Sequence, residues 1–202
     1  MNQKAIIVFQ KNLVLGKVKT RLADALGAQK ALNIYKYLVD TTYRQLQPLT
    51  EIDIFIFFSD YLEDLPNNKF LKFIACQQKG NDLGERMLNA FIEVFSKGYK
   101  SVVIIGTDCP YLKTEILMDA FNCLKEKDVV FGPAYDGGYY LLGSNQVYPE
   151  IFKNIPWSTE KVLKISINTI ESKKSTYSLL NWLSDIDTKE DWDNYLDTFE
   201  KK

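Results

Sequence analysis

The sequence contains no histidine, and its 202 residues include only three cysteines. The absence of histidine excludes Ser-His-Asp and Cys-His catalysis, so an enzyme of this composition must rely on carboxylates, lysines and metal ions. Cys76, Cys109 and Cys123 show no Cys-x-x-Cys spacing. We therefore expect single thiols of a reducing compartment rather than a structural zinc site.

Long apolar runs and a strong charge imbalance are also missing. No apolar run approaches the roughly twenty residues of a transmembrane helix, and the first residues lead into a strand pattern without the apolar region of a signal peptide. We therefore expect a cytoplasmic protein without a transmembrane segment. The formal net charge of -1 gives no reason to expect a nucleic-acid partner. The length and the 46% hydrophobic content predict a single domain over residues 1–202.

Apolar periodicity predicts strands that alternate with helices. The predicted strands cover residues 5–9, 52–58, 72–77, 101–105, 129–131, 139–142 and 176–180. The predicted helices cover 28–46, 114–126 and 159–172, with one more opened by a capping box at 82–85 and a last one capped by Thr188. Such alternation predicts an α/β fold with a mostly parallel sheet covered on both faces, and ligands of these folds bind at the carboxyl ends of the strands.

The loop after the first predicted strand, LGKVKTRL at 15–22, is basic and contains a glycine. It is not a P-loop, because that motif needs a glycine directly before its lysine, where Val18 stands here. Gly16, Lys19 and Arg21 are nevertheless candidates for phosphate binding, since they follow a strand and precede a helix. A guanidinium contacts two phosphate oxygens and an ammonium adds a compact charge. The alternative is a solvated surface loop.

Two acidic motifs also follow predicted strands. Asp108, in GTDCP at 106–110, comes after an apolar strand, where a divalent cation would compensate its carboxylate for lost hydration. Capping of the next turn is the alternative. Asp185 and Asp187 are two residues apart, so in an extended segment both could face one ion. They could instead favour the positive end of the helix that follows.

A glycine-rich segment, GPAYDGGYY at 132–140, joins two predicted strands. A hairpin turn is the simplest interpretation. The tyrosines and the acid also suit a wall that holds an acceptor by stacking, with Asp136 placed to accept its proton. Trp157 could form another wall or belong to the core. The candidate acceptor residues are Asp136, Gly137, Gly138, Tyr139 and Trp157.

Six motifs together carry a resemblance to a known family: GKVKTRLA, QQKGNDLGERM, GTDCPYL, GPAYDGGYYLLG, PWST and DIDTKEDW, in that order. They resemble a small bacterial family of nucleotide-diphospho-sugar transferase type, labelled glycosyltransferase-A-like or selenodomain-associated transferase. The resemblance spans nearly the whole chain. It implies a GT-A-like three-layer α/β/α sandwich with a mostly parallel, partly mixed sheet. The first loop and the DxDTxED pattern are also similar to those of small-molecule guanylyltransferases.

The resemblance also implies roles for individual residues. Gly16, Lys19 and Arg21 would hold the nucleotide phosphates, and Gln78, Gly80, Leu83 and Gly84 would border the base. Asp108 would hold Mg²⁺ or Mn²⁺, with Asp187 or Asp185 completing the metal site. Residues 136–139 would meet the acceptor.

The sequence therefore predicts a metal-dependent transferase that takes a nucleotide-activated donor, a nucleotide sugar, and a small-molecule acceptor. Lys19, Asp108 and Asp136 are its expected catalytic residues. One alternative is nucleotidyl transfer from an NTP to a phosphorylated small molecule, with release of pyrophosphate. The longer glycine-rich first loop and Pro-Lys pair of many such enzymes are missing here. The second alternative is a nucleotide-binding or partner-binding protein without catalytic activity.

Overall fold

The chain is described here by a computed structural model that covers residues 3–63 and 72–200. The strands in this part of the chain are β1 (Lys4–Gln10), β2 (Asp53–Phe58), β3 (Ile74–Gln77), β4 (Ser101–Ile105), β5 (Val129–Pro133), β6 (Tyr139–Ser144) and β7 (Tyr177–Leu179). The helices are α1 (Thr20–Leu26), α2 (Ala28–Leu46), α3 (Leu83–Ser96), α4 (Thr114–Cys123), α5 (Val162–Ser172) and α6 (Lys189–Glu200). A short 3₁₀ turn spans Pro149–Phe152.

The strands form one mixed sheet in the order β3-β2-β1-β4-β6-β5-β7. Only β6 runs antiparallel to its neighbours, β4 and β5, and the remaining described pairs are parallel. The carboxyl ends of the other six strands therefore meet at one edge of the sheet. The loops that carry Lys19, Asp108, Asp136 and Asp187 all open at this edge, because they follow β1, β4, β5 and β7.

Alternate residues of the strands enter two separate cores. In β1, Ile6 and Val8 join the core that includes buried side chains of α2 and α4. Ala5 and Ile7, on the opposite face, join the core that includes α3 and α5. Helices thus cover both faces of the sheet, which confirms the predicted GT-A-like three-layer α/β/α sandwich.

Most predicted elements are present, and the differences lie at their ends. The helix predicted at 28–46 and the strand predicted at 101–105 have the expected bounds. The helix predicted from Thr159 begins at Val162 instead, because the Thr159 hydroxyl donates to the Pro156 carbonyl in a turn. Helix α1 was not predicted, since it has seven residues and only Leu22 of them is buried. In the described part of the chain, no helix is long and apolar enough to cross a membrane.

Candidate active site

Two cavities lie at the carboxyl edge of the sheet. The larger has a volume of about 470 Å³ and the smaller about 340 Å³. Asp108, Asp136 and Asp187 line both cavities, so the two share a wall of carboxylates. The parallel strands bring these acids together from three different loops.

Lys19 is buried between two of these carboxylates. Its Nζ lies 3.0 Å from Oδ2 of Asp108 and 2.9 Å from Oδ1 of Asp187. The Lys19 side chain is 5% exposed, whereas those of Asp108 and Asp187 are 42% and 48% exposed. Lys19 has a left-handed backbone conformation (φ 48°) directly before α1, and its neighbour Val18 is buried. The Lys19 side chain is therefore buried, and its ammonium contacts two carboxylates that remain accessible to solvent.

The charges of this cluster support one another. Burial alone would lower the pKa of Lys19, but the charges of Asp108 and Asp187 outweigh burial and raise that pKa above its ordinary value. Burial likewise acts to raise the pKa of Asp187, yet the nearby Lys19 and Arg21 bring it below its ordinary value. Lys19 and Asp187 are therefore both charged at neutral pH.

The other residues of the first loop differ in their positions. Arg21 Nη1 lies 4.0 Å from Asp187 Oδ2, and its side chain is 73% exposed. Arg21, Lys19 and Lys11 all line the smaller cavity, which therefore collects three cationic side chains. Gly16 adopts a positive φ of 75° in the exposed loop, and it is not among the described residues that line either cavity.

Asp185 and Asp187 lie in different surroundings although both line the larger cavity. Asp187 contacts Lys19, while burial, followed by repulsion from Asp108, raises the pKa of Asp185 to about 7. Between them Ile186 is fully buried, and its backbone amide donates a 2.9 Å hydrogen bond to the Asp108 carbonyl. Among the described residues, no group of three or more His, Cys, Asp or Glu side chains is arranged as a metal site. Asp108 and Asp187 are the two carboxylates that contact the same cation, the Lys19 ammonium.

The residues expected to border the base lie between the end of β3 and the first turn of α3. Gln78 and Leu83 line the larger cavity, and the Gln78 side-chain amide donates to the Phe57 carbonyl at 2.9 Å. Asp82 caps α3 by accepting a 2.8 Å hydrogen bond from the Glu85 amide. This cap fixes the direction in which the helix leaves the cavity.

Gly80 and Gly84 support this wall rather than line it. Gly80 has φ 142°, and a Cβ there would lie 2.8 Å from the Arg86 amide nitrogen. A Cβ on Gly84 would lie 2.4 Å from the Phe152 carbonyl oxygen and 2.6 Å from Nε1 of Trp157. Both glycines therefore allow close approach of neighbouring segments.

The loop between β5 and β6 is the expected hairpin turn, and it also borders the larger cavity. Asp136 Oδ1 accepts a 2.8 Å hydrogen bond from the Gly138 amide, and Asp136, Gly138 and Tyr139 line the cavity together with Trp157. Gly137 is turned away, against the backbone of Glu160. Burial raises the pKa of Tyr139, so its hydroxyl is not an acid or base at neutral pH. The interpretation of this loop as a hairpin turn is thus compatible with its interpretation as a wall that holds an acceptor.

The sequence analysis did not identify several residues that line the larger cavity. The Tyr35 hydroxyl lies 3.0 Å from Thr107 Oγ1 and accepts a 2.9 Å hydrogen bond from the Lys11 amide, beside the carboxylates. Lys11 and Ser59 directly follow β1 and β2, so the rule that nominated Asp108 would also have found them. Arg86 lies inside the quoted QQKGNDLGERM motif and lines the larger cavity, with its Nε donating to the Gly80 carbonyl.

The chain is similar in sequence and in fold to proteins of known structure or activity. A solved structure from Desulfovibrio desulfuricans G20, provisionally described as a nucleotide-diphospho-sugar transferase, is 33% identical and superposes with a TM-score of 0.85 over 93% of this chain and 84% of its own. The 2-phospho-L-lactate guanylyltransferase of Methanocaldococcus jannaschii is 28% identical over 129 residues, 63% of this chain and 54% of that enzyme. The match thus spans about half the length of this relative.

A more distant likeness concerns the fold alone. CMP:2-keto-3-deoxy-manno-octonic acid synthetase, solved in complex with CTP, superposes with a TM-score of 0.59 at 8% identity, over 98% of this chain and 99% of its own.

Residues 42–159 match the family described as "Uncharacterized protein conserved in bacteria (DUF2064)". The chain therefore belongs to the DUF2064 family, within the superfamily of nucleotidyl and glycosyl transferases.

Proposed function

We propose that the protein transfers a glycosyl group from a nucleotide-diphospho-sugar to a small acceptor, and that the two cavities at the sheet edge hold the two substrates. The observation that carries this proposal is the position of Lys19, whose ammonium lies within 3.0 Å of both Asp108 and Asp187. A cation and two carboxylates meeting at the end of parallel strands suit the binding of a metal-linked diphosphate.

The smaller cavity suits a metal-linked diphosphate because its lining combines Lys11, Lys19 and Arg21 with the carboxylates of Asp108, Asp136, Glu160 and Asp187. Charge-assisted hydrogen bonds to phosphate oxygens are roughly twice as strong as neutral ones. These cations would also stabilise the charge that develops on the diphosphate as it leaves, provided that they are already in position. The backbone on both sides of Lys19 is held by the buried Val18 and Leu22, and this limits the reorganisation needed to the side chain.

A divalent cation fits Asp108 and Asp187 because their oxygens already converge on one cation, the Lys19 ammonium. Mg²⁺ commonly uses one or two carboxylates together with substrate phosphates, and such a pair with a diphosphate beside it has that composition. When bound, the ion would act as a Lewis acid toward the diphosphate oxygens. Asp185 is the alternative second ligand, since it lines the larger cavity together with Asp108 and Asp187.

The larger cavity suits the acceptor and the remainder of the donor. Asp136 is available there as a proton acceptor. Its Oδ1 accepts the 2.8 Å hydrogen bond from the Gly138 amide, and its Oδ2 remains to accept a proton. The Tyr139 and Trp157 rings lie 6.4 Å apart at 86° and give this wall a rigid aromatic surface.

Nucleotidyl transfer is the second candidate function. It is favoured by the match to the guanylyltransferase of M. jannaschii, which is 28% identical over 129 residues. The smaller cavity, with Lys11, Lys19 and Arg21 in its lining, would then hold the triphosphate of an NTP, and the acceptor would be a phosphorylated small molecule. The two candidates therefore differ in the bond that breaks rather than in the residues that hold the phosphates.

A binding screen followed by product analysis tests this proposal. Nucleotides and nucleotide sugars would be screened by thermal shift with and without Mg²⁺ or Mn²⁺, since a ligand raises the melting temperature according to its affinity. Glycosyl transfer from a bound donor yields a nucleoside diphosphate, whereas nucleotidyl transfer yields pyrophosphate. Binding without turnover across a broad acceptor panel would instead favour a non-catalytic nucleotide-binding protein.

A further inference from the structure

Lys19 occupies the position at which a metal ion would meet its two carboxylates. Its Nζ contacts Oδ2 of Asp108 and Oδ1 of Asp187 at hydrogen-bonding distance. A divalent cation that bound the same oxygens would therefore lie beside a positive ammonium. Two cations a few ångströms apart repel strongly in a partly buried site. Lys19 and the metal ion thus compete for the same carboxylates.

We infer that Lys19 is a resident cation: in the free protein its ammonium occupies the place of the metal ion between Asp108 and Asp187. The ammonium leaves this place when the phosphate oxygens of a diphosphate bind it. This inference rests on the proposed function, because it assumes that Asp108 and Asp187 are the metal ligands. Lys19 also lines the smaller cavity with Lys11 and Arg21, so phosphate oxygens that enter there offer the ammonium new partners.

The lysine side chain can make this exchange without a change in the fold. Val18 is 2% exposed and Leu22 is fully buried, so the backbone on both sides of Lys19 is held by the core. Lysine carries its charge on a flexible four-carbon stem, which lets the ammonium turn while the backbone stays in place. The change is therefore confined to the ammonium and its partners.

Coupled binding of metal and phosphate follows from this exchange. If a diphosphate draws the ammonium away, it raises the affinity of the carboxylate pair for a divalent cation, and the metal must raise diphosphate affinity by the same factor. The metal would then bind weakly to the free protein. Departure of the nucleoside diphosphate would return Lys19 to its carboxylates and release the ion.

Binding of Mn²⁺ alone tests this inference without any nucleotide. Free Mn²⁺ would be measured by electron paramagnetic resonance during titration of the wild type, Lys19→Met and Lys19→Arg. Lys19→Met removes the ammonium and keeps a long apolar stem, so we expect it to bind Mn²⁺ at least tenfold more tightly than the wild type. Lys19→Arg keeps the charge and should stay near the wild-type affinity.

A double variant locates the gained affinity. Asp108→Asn in the Lys19→Met background should abolish the gain, because it removes one of the two negative charges that would hold the ion. Equal or weaker Mn²⁺ binding by Lys19→Met than by the wild type would overturn the inference. Circular dichroism and melting temperature establish that each variant is folded, and Lys19→Gln serves as a second neutral variant if Lys19→Met does not fold.

The resident-cation inference and the proposed function can fail independently of each other. If the wild type gains metal-dependent stability with a nucleotide but Lys19→Met shows no Mn²⁺ gain, only the resident-cation inference fails. If Lys19→Met gains affinity through Asp108 while no nucleotide stabilises the wild type, the competition is real and the proposed donor is wrong.

Discussion

The backbone amide of Ile186 donates a 2.9 Å hydrogen bond to the carbonyl oxygen of Asp108. This bond joins the segment that follows β7 to the loop that follows β4, although β6 and β5 lie between these strands in the sheet. Because Ile186 is also fully buried, Asp187 is held beside Asp108 on the far side of Lys19. The carboxylate pair is therefore built by the backbone rather than by the lysine alone.

Gly137 is expected to be essential for the shape of the loop between β5 and β6. It has φ 87°, and a Cβ there would lie 2.3 Å from the Glu160 carbonyl oxygen. Gly98 has a similar φ of 92° with no atom within 4 Å of its Cβ position. Gly98→Ala should therefore cost only the strain of a left-handed residue, about 1–2 kcal/mol. Gly137→Ala should cost about 1–3 kcal/mol more, since it adds overpacking.

Urea denaturation of the two glycine variants gives the comparison directly. Equal losses in the free energy of unfolding would mean that the contact between the hairpin and the Glu160 backbone can relax freely.

The fold was predictable from the sequence because its signals are local. The buried strand at 101–105 and the helix at 28–46 each carry enough apolar residues to set their own bounds. The glycine-rich hairpin turn indicated that β6 runs antiparallel to β5, but the pairing of β6 with β4 has no such local signal. The resemblance implied a partly mixed sheet, and the strand pairing confirms it.

Arg21 is expected to contribute directly to phosphate binding. It lines the smaller cavity with a side chain that is 73% exposed, so it can turn toward a ligand. Arg21→Ala should weaken binding of a nucleoside diphosphate about tenfold, or about 1.4 kcal/mol, in calorimetry. Arg44→Ala, in the last turn of α2, removes the same charge away from the cavities and should leave affinity unchanged. Equal effects of both variants would exclude Arg21 from the site.

Asp136 is expected to act on the acceptor rather than on the donor. Asp136→Asn keeps an oxygen that can accept the hydrogen bond from Gly138, so the hairpin should keep its conformation. Turnover should fall about 100-fold or more, the usual contribution of a general base, while nucleotide affinity stays nearly constant. Parallel losses in turnover and in nucleotide affinity would place Asp136 in the donor site instead.

Asp128 is expected to contribute stability that depends on pH. Its Oδ2 accepts hydrogen bonds of 2.7 Å and 2.8 Å from the backbone amide and hydroxyl of Thr176, and these hold its pKa below the ordinary value. A carboxyl with a depressed folded-state pKa stabilises the protein above its unfolded pKa, about 4, and loses this contribution as the pH falls through the folded-state value.

The measurement compares the free energy of unfolding of wild type and Asp128→Asn between pH 6 and pH 2. The difference should be largest at pH 6 and shrink in acid. Asp119→Asn, on the exposed face of α4, provides the control. A difference between wild type and Asp128→Asn that does not change with pH would show that the Thr176 contacts do not favour the charged carboxylate.

The site was harder to predict than the fold because its contacts join distant segments. Position after a strand was enough to nominate Lys19, Asp108 and Asp187 separately, but nothing local indicates that the lysine lies between the two acids. Gly84 shows the same limit, since its close neighbours are the Phe152 carbonyl and the Trp157 ring. Such pairs depend on the order of the strands, which single motifs do not encode.

The role of Asp108 is the central claim, and Asp108→Asn tests it. Without metal the variant should melt at a lower temperature than the wild type, because the buried Lys19 loses one of its two carboxylate partners. Asparagine preserves the shape of the side chain but not the charge that holds a hard cation. Asp119→Asn again serves as the control for removal of an exposed aspartate.

The decisive measurement is the extra rise in melting temperature that Mg²⁺ or Mn²⁺ adds at saturating nucleotide. A tenfold gain in affinity corresponds to about 1.4 kcal/mol, or about 3–6 °C for a chain of this size. We expect this metal-dependent rise in the wild type and in Asp119→Asn, and its loss in Asp108→Asn. A rise in Asp108→Asn equal to that of the wild type would contradict the proposed metal site.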